Sequence, residues 1–220
     1  GLTTLSTITL IEGNLRREIG EQMPASAPNF YFIDIQSDQM DAFRRLVRSL
    51  PGIGEVQSVP NLRARIVALG GVPVEQAQAS PETRWALTGD RGLTYAAQPP
   101  EGTRIVAGEW WPADYDGPPL LSLDAALARG WGLGIGDTIT VNVLGRDIDL
   151  RIASLREIEW RGLGINYVLV ASPGLLAAAP HTHIATLRSE EAQEAAILRA
   201  VTDAFPNVSG IRVRDALEAI

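Results

Sequence analysis

Apolar positions along the chain change period several times, and the changes mark its elements. Leu5, Ile8, Leu15 and Ile19 fall at helical spacing, interrupted by Glu12. Asn29–Ile35 (NFYFIDI) is a run of aromatic and β-branched residues and predicts a strand. Met40, Phe43, Leu46, Val47 and Leu50 then follow the helical period, with Ser37 or Asp38 as the cap and Pro51-Gly52 as the stop. A second strand is expected from about Val56 to Leu69, broken at Pro60.

The same order returns near the other end. His183–Leu187 is strand-like, and Ser189 stands where a cap is needed. Glu190 and Glu191 suit a first helical turn, and Ile197, Leu198, Val201 and Phe205 make a buried stripe. Pro206-Asn207 ends the helix before a strand at Val208–Val213. The two helix exits, LPGIGEVQSV at 50–59 and FPNVSGIRVR at 205–214, share one pattern of apolar, Pro, small and β-branched residues. Two βαβ units of this kind are the halves of a split, ferredoxin-like layer. The stretch between them is too long for a loop and is expected to be an inserted domain.

The insert, residues 70–180, predicts mostly β structure. Its strand candidates are Arg104–Ala107, Leu120–Ser122, Asp137–Leu144, Arg146–Leu155 and Ile165–Val170. Leu144-Gly145-Arg146 suggests a hairpin. A short helix at Asp124–Arg129 would start behind a Ser122 cap, and Leu133 and Ile135 read as core plugs between glycines. A small twisted sheet or partial barrel is the expected form. The fold class is therefore α+β: a discontinuous ferredoxin-like domain at 27–69 plus 181–220, an inserted mostly-β domain at 70–180, and a helix at 1–26.

The chain has 220 residues with 45% apolar and 20% charged side chains, enough for a substantial core. The net charge of −7 comes without a basic cluster of the kind that grips nucleic acid. All 19 cationic side chains are Arg, so a P-loop lysine and Schiff-base chemistry are excluded. The absence of Cys removes thiol catalysis, cysteine zinc sites and disulfides. Residues 1–11 carry no charge and 12–22 are densely charged, the pattern of a helix leaving a membrane. They read as the tail of a truncated transmembrane helix, with an ordinary amphipathic helix as the alternative. Gly162–Leu187 also lacks Asp, Glu and Arg, but Pro173-Gly174 and Pro180 favour strand, turn and short apolar segment over a span.

Candidate chemistry is sparse. The glycines at 130, 132, 134 and 136 lack phosphate-loop spacing and open a strand. His181 and His183 share a strand face, where two imidazoles could begin a zinc site, but no local ligand spacing supports one and a polar strand edge is the better reading. Gly108–Pro119 (GEWWPADYDGPP) is the most unusual segment. Its Glu109, Asp114 and Asp116 would serve carboxylate chemistry, and its indoles suit packing or an interface. Trp160 and Arg161 are expected across a sheet from the Trp pair. The candidate ligand or partner contacts are thus Trp110, Trp111, Asp114, Tyr115, Asp116 and Trp160. No catalytic, metal-binding or cofactor-binding residue is assigned.

Taken together, IEGNLRREI (11–19), FYFIDIQ (30–36), VPNLRARIVALGG (59–71), GEWWPADYDGPPLLSLD (108–124), SLREIEWRGLGINYVLV (154–170) and FPNVSGIRVRDAL (205–217) resemble the periplasmic core domain of FtsX/MacB-type ABC transporter permeases, of the YbbP type. The resemblance implies a segment on the periplasmic side of a bacterial inner membrane. Its ferredoxin-like part would be a porter-like subdomain and its insert a Sabre-like one. It implies a non-catalytic role, without cofactor, coupling ATP-driven movement of membrane helices to events outside the membrane. The implied partners are a cytoplasmic ATP-binding subunit, a second permease subunit or copy, and a lipid-like or protein substrate; nucleic acid is not among them. A soluble extracytoplasmic module that binds an apolar or lipid-like ligand is the alternative.

Overall fold

The structure is a computed structural model that describes residues 27–160 and 162–218. The helix expected at 1–26 lies outside the described residues. In chain order the strands are β1 (Phe30–Gln36), β2 (Ile53–Leu69), β3 (Val72–Pro73), β4 (Arg91–Tyr95), β5 (Thr103–Gly108), β6 (Leu120–Asp124), β7 (Thr138–Val143), β8 (Arg146–Ile158), β9 (Leu169–Ala171), β10 (Thr182–Ser189) and β11 (Ser209–Arg212). The helices are α1 (Met40–Ser49), α2 (Ala125–Trp131), α3 (Leu175–Ala178), α4 (Glu194–Ala204) and α5 (Val213–Glu218). The fold is mixed α+β. Contacts divide the described residues into two compact units, one of residues 62–159 with 166–180 and one of residues 27–61 with 160, 162–165 and 181–218.

In the second, split unit the strand order is β11-β1-β10-β2, and all neighbours are antiparallel. The core on one sheet face joins Phe30, Phe32 and Ile35 to Phe43 and Val47 of α1 and to Ile197 and Val201 of α4. Tyr31 and Ile33 go to the opposite face with Leu163, Ile184 and Val213. Strict alternation would send Ile35 there too. It returns to the helix face because the register shifts between Phe32 and Ile35, where Asp34 adopts a φ of 64°. One extra residue in a strand reverses its facing parity. The bulge is held by Asn207, whose side-chain amide donates to the Asp34 carbonyl at 3.0 Å and to Gln39 Oε1 at 2.8 Å.

Both helices stop for the predicted reason. Leu50 and Phe205 leave helical geometry immediately before a proline, which crowds the helical conformation of the preceding residue. Gly210 admits close approach of α4, since a Cβ there would lie 2.4 Å from Leu198 Cδ1 and 2.9 Å from Phe32 Cε1.

The starts differ from expectation. Ser37–Gln39 forms a 3-10 turn capped reciprocally by Gln36 and Gln39, so neither Ser37 nor Asp38 is the cap. The Ser37 hydroxyl instead bonds His183 Nε2 at 3.0 Å. Ser189 is not a cap either; Glu190 precedes the 3-10 turn Glu191–Gln193, and the Ser189 N–H donates to Asn29 Oδ1. Pro60 does not break β2. It pairs with His183 in a stretch of β2 whose one strand neighbour is β10, a position where a strand tolerates a missing N–H.

The unit of residues 62–159 and 166–180 closes on itself. Its end of β2 pairs with β4, β4 with β9, β9 with β6, β6 with β8, β8 with β7, and β7 again with β2. This is a six-stranded ring with two parallel joints, β4/β9 and β6/β8. Closure removes the exposed edges that an open sheet would leave. β5 adds to β8 beyond the ring. The expected β5 to β8 strands appear, with the last candidate shortened to Leu169–Ala171, whereas β4 and the 3-10 helix Pro81–Leu87 were not foreseen.

The buried face of β8 runs Leu150, Ile152, Ser154, Arg156, from apolar to charged. Arg156 is 1% exposed. Its Nε donates to Ser122 Oγ at 3.0 Å and its Nη2 to the Tyr167 carbonyl at 2.7 Å. Ser154 donates to the same Ser122 hydroxyl at 2.7 Å. Ser122 is therefore committed to the buried network, and the cap of α2 is Asp124, which accepts from the Leu127 N–H at 3.1 Å. Burial pulls Arg156 down to about 10, opposed by the charge of Asp124. Burial raises Asp124, opposed by the Leu127 N–H and by Arg156. The guanidinium stays charged at neutral pH and needs every one of these partners.

Replacing Arg156 by Met keeps most of the volume but removes the buried cation beside Asp124 and the hydrogen bonds to the Ser122 hydroxyl and the Tyr167 carbonyl. Urea unfolding of R156M is expected to show a loss of about 3–5 kcal/mol. A loss below about 1 kcal/mol would mean that the network does not hold the ring.

Candidate functional site

The Trp segment is placed by the exit of β5. Gly108 has a φ of 70°, and a Cβ built there would lie 2.1 Å from the Ala153 carbonyl oxygen. Only glycine lets the chain turn away this close to β8. The next N–H, of Glu109, donates to that same carbonyl at 3.2 Å. Two indoles follow at once. Trp111 is buried and its Nε1 donates to the Ala96 carbonyl at 2.9 Å. Trp110 is half-buried and donates to the Ala97 carbonyl, also at 2.9 Å. Their ring centroids are 4.0 Å apart at 32°. Both indole N–H groups are thus used on the backbone just after β4, and what Trp110 still offers is ring surface.

Around this surface lies an open groove of about 470 Å³, whose lining includes Glu109, Trp110, Trp111, Tyr115, Ile135 and Arg151. The Tyr115 hydroxyl donates to the Pro118 carbonyl at 2.5 Å, which closes the loop on itself. Ile135 is not a core plug. It is 49% exposed, because the turn closed by the Asp137 carboxylate on the Gly134 N–H carries it to a tip. The groove offers rings and aliphatic groups with one carboxylate and one guanidinium, a surface for apolar contact with limited polar selection.

The predicted contact residues divide. Trp110, Trp111 and Tyr115 meet in the groove. Asp114 and Asp116 are exposed on the loop and are not among its lining residues. Trp160 is half-buried and belongs to the split unit, whereas the Trp pair belongs to the closed one; Arg161 lies outside the described residues. Gly108, Ile135 and Arg151 were missed as groove residues. Gly108 carries a signal in its place between a strand and two Trp, but Ile135 and Arg151 arrive from other elements and only the ring brings them there.

His181 and His183 sit in the split unit with ring centroids 5.2 Å apart. Burial, followed by the charges of His181 and Arg44, lowers His183 to about 4. The described residues contain no cluster of three or more His, Asp or Glu able to hold a metal ion. Among them, no helix is long and apolar enough to cross a membrane.

No family model matches the chain. Over 216 residues, 98% of this chain, it is 24% identical to the uncharacterized ABC transporter permease YbbP of Escherichia coli (strain K12). The chain spans about a quarter of that relative's length, 25%. The resemblance to YbbP-type permeases drawn from the sequence is thus matched by a curated relative. Two solved structures are similar at lower levels. A domain of a proposed permease protein from Porphyromonas gingivalis is 12% identical, with a TM-score of 0.41 over 86% of this chain and 91% of that one. The extracellular domain of the noncanonic ABC-type transporter YknZ from Gram-positive bacteria is 9% identical, with a TM-score of 0.35 over 84% and 100%. At such scores neither defines a shared fold.

The two indoles should separate on substitution. Trp111→Ala empties a buried site and is expected to cost about 3–5 kcal/mol. Trp110→Ala removes a half-exposed ring and should cost less than about 1.5 kcal/mol. Thermal and urea unfolding of the two variants measures this directly. Equal losses would make Trp110 part of the core and remove it as a contact residue.

Proposed function

We propose that this chain is the extracytoplasmic domain of an ABC transporter permease subunit, without catalytic activity of its own. One observation carries the reading: similarity to a permease of that class runs over 98% of the chain, through both compact units and the Trp segment. The domain stands on the periplasmic side of a bacterial inner membrane. The split unit, near 27–69 and 181–220, is a ferredoxin-like, porter-like part. Its antiparallel order β11-β1-β10-β2 supports this, being the order of two interleaved βαβ units. The closed ring, which takes the 62–69 end of β2 together with strands from 70–180, is the Sabre-like part.

The partners of such a subunit are a cytoplasmic ATP-binding subunit and a second permease subunit or copy. Movement driven by ATP reaches the domain through the membrane helices, and the domain handles a lipid-like or protein substrate outside the membrane. Trp110, with the groove beside it, is the contact surface for that substrate or partner. The two built units favour this over a flexible linker, since rigid parts transmit displacement.

A second reading is a binding module for an apolar or lipid-like ligand. The consumed indole N–H groups favour it, because they leave the groove mainly apolar.

The side of the membrane is directly measurable. Leu144, at the tip of the β7–β8 hairpin, is 67% exposed, and the chain contains no Cys. In the full-length, otherwise cysteine-free protein, L144C should react with a membrane-impermeant maleimide in spheroplasts, before lysis. Labelling only after lysis would place the domain on the cytoplasmic side and end the proposal.

A further inference from the structure

The outer face of α1 has no part in the groove. Asp41, Arg44, Arg45, Arg48 and Ser49 line an open depression of about 500 Å³ there. An α-helix advances about 100° per residue, so positions 44, 45 and 48 fall within one ~100° arc. The opposite face of α1 buries Met40, Phe43 and Val47 and fixes which way this arc points. Arg44 is held in place: its Nη2 donates to Ser58 Oγ at 2.7 Å, and its Nη1 lies 3.7 Å from Asp41. Arg45 and Arg48 form no ion pair among the described residues. Arg63, Arg104, Arg212 and Arg214 each face a carboxylate. The one acid on the stripe, Asp41, has a side chain 86% exposed.

Three guanidiniums against one loosely engaged carboxylate is an unbalanced charge in a chain with a net charge of −7. Guanidinium forks match the paired oxygens of phosphate, and a fork already fixed loses less freedom on binding. We propose that this depression binds a phosphate-bearing anion. Arg44 is the preset fork, Arg45 and Arg48 close on the remaining oxygens, and Asp41 weakens binding by repulsion. A phospholipid headgroup and a soluble phosphate share this chemistry. The proposal stands independently of the permease reading, because it rests on α1 alone.

The test is titration of the ¹⁵N-labelled 220-residue chain with inorganic phosphate at constant ionic strength, following the arginine Nε–Hε resonances. Those of Arg44, Arg45 and Arg48 should move together and saturate. Arg48→Gln should weaken binding about five-fold, as loss of one partly exposed charge-assisted contact. Asp41→Asn should tighten it about two-fold. Arg199→Gln, on the exposed side of α4, should change nothing. These residues are exposed, so circular dichroism and melting should match the parent. Cosedimentation with phosphatidylglycerol vesicles but not phosphatidylcholine vesicles, lost in R45Q/R48Q, would identify a lipid headgroup. Saturable phosphate binding without vesicle binding would identify a soluble ligand. Shifts no larger with phosphate than with chloride, or equal affinities in D41N, R48Q and parent, would overturn the site.

Discussion

A guanidinium that is buried must be answered on all sides, and Arg156 sets that demand at the joint of the closed unit. Its partners come from β6, through Ser122, and from the segment entering β9, through the Tyr167 carbonyl. Asp124, at the end of β6, balances the charge and caps α2 with the same carboxylate. An apolar side chain would fill the space but would not specify which strands meet. Arg156 does specify it, since any other pairing leaves a charge unsatisfied in low dielectric. The two parallel joints of the ring, which no hairpin could enforce, are tied or flanked by this network.

The Trp groove follows from that arrangement. β5 leaves the sheet at Gly108 against Ala153, three residues before Arg156 on β8. The loop it opens is then pinned by indole N–H bonds to the backbone after β4. The loop is therefore a rigid extension of the ring. In the split unit a different constraint does comparable work: the bulge at Asp34 restores Ile35 to the helix face, and Gly210 lets α4 pack down on Phe32.

Much of this was legible in the sequence. The 3.6 and 2.0 periods match α1, α4, β7 and β8, whose buried faces are simple stripes, and the aromatic and β-branched run marked β1. The duplicated helix exits worked because Pro acts on its predecessor wherever it stands. The caps at Ser37 and Ser122 failed because each hydroxyl had another bond to make, and competing partners are set by the fold. Ile135 failed because its glycine-rich surroundings carry no period. Pro60 misled because a proline breaks a strand only where its N–H is required. Of the site, Trp110, Trp111 and Tyr115 were readable from their unusual density, whereas Arg151 and Ile135 came from sheet closure, which no local window contains.

The central claim is that ATP-driven movement in the membrane is felt at this domain. Hydrogen exchange of the full-length permease with its ATP-binding subunit, with and without trapped ATP, tests it directly. The account predicts slowed exchange at residues 108–120 in the ATP state, while the buried amides of β6 and β8 stay unchanged as the rigid frame. Identical exchange at 108–120 in both states would contradict it.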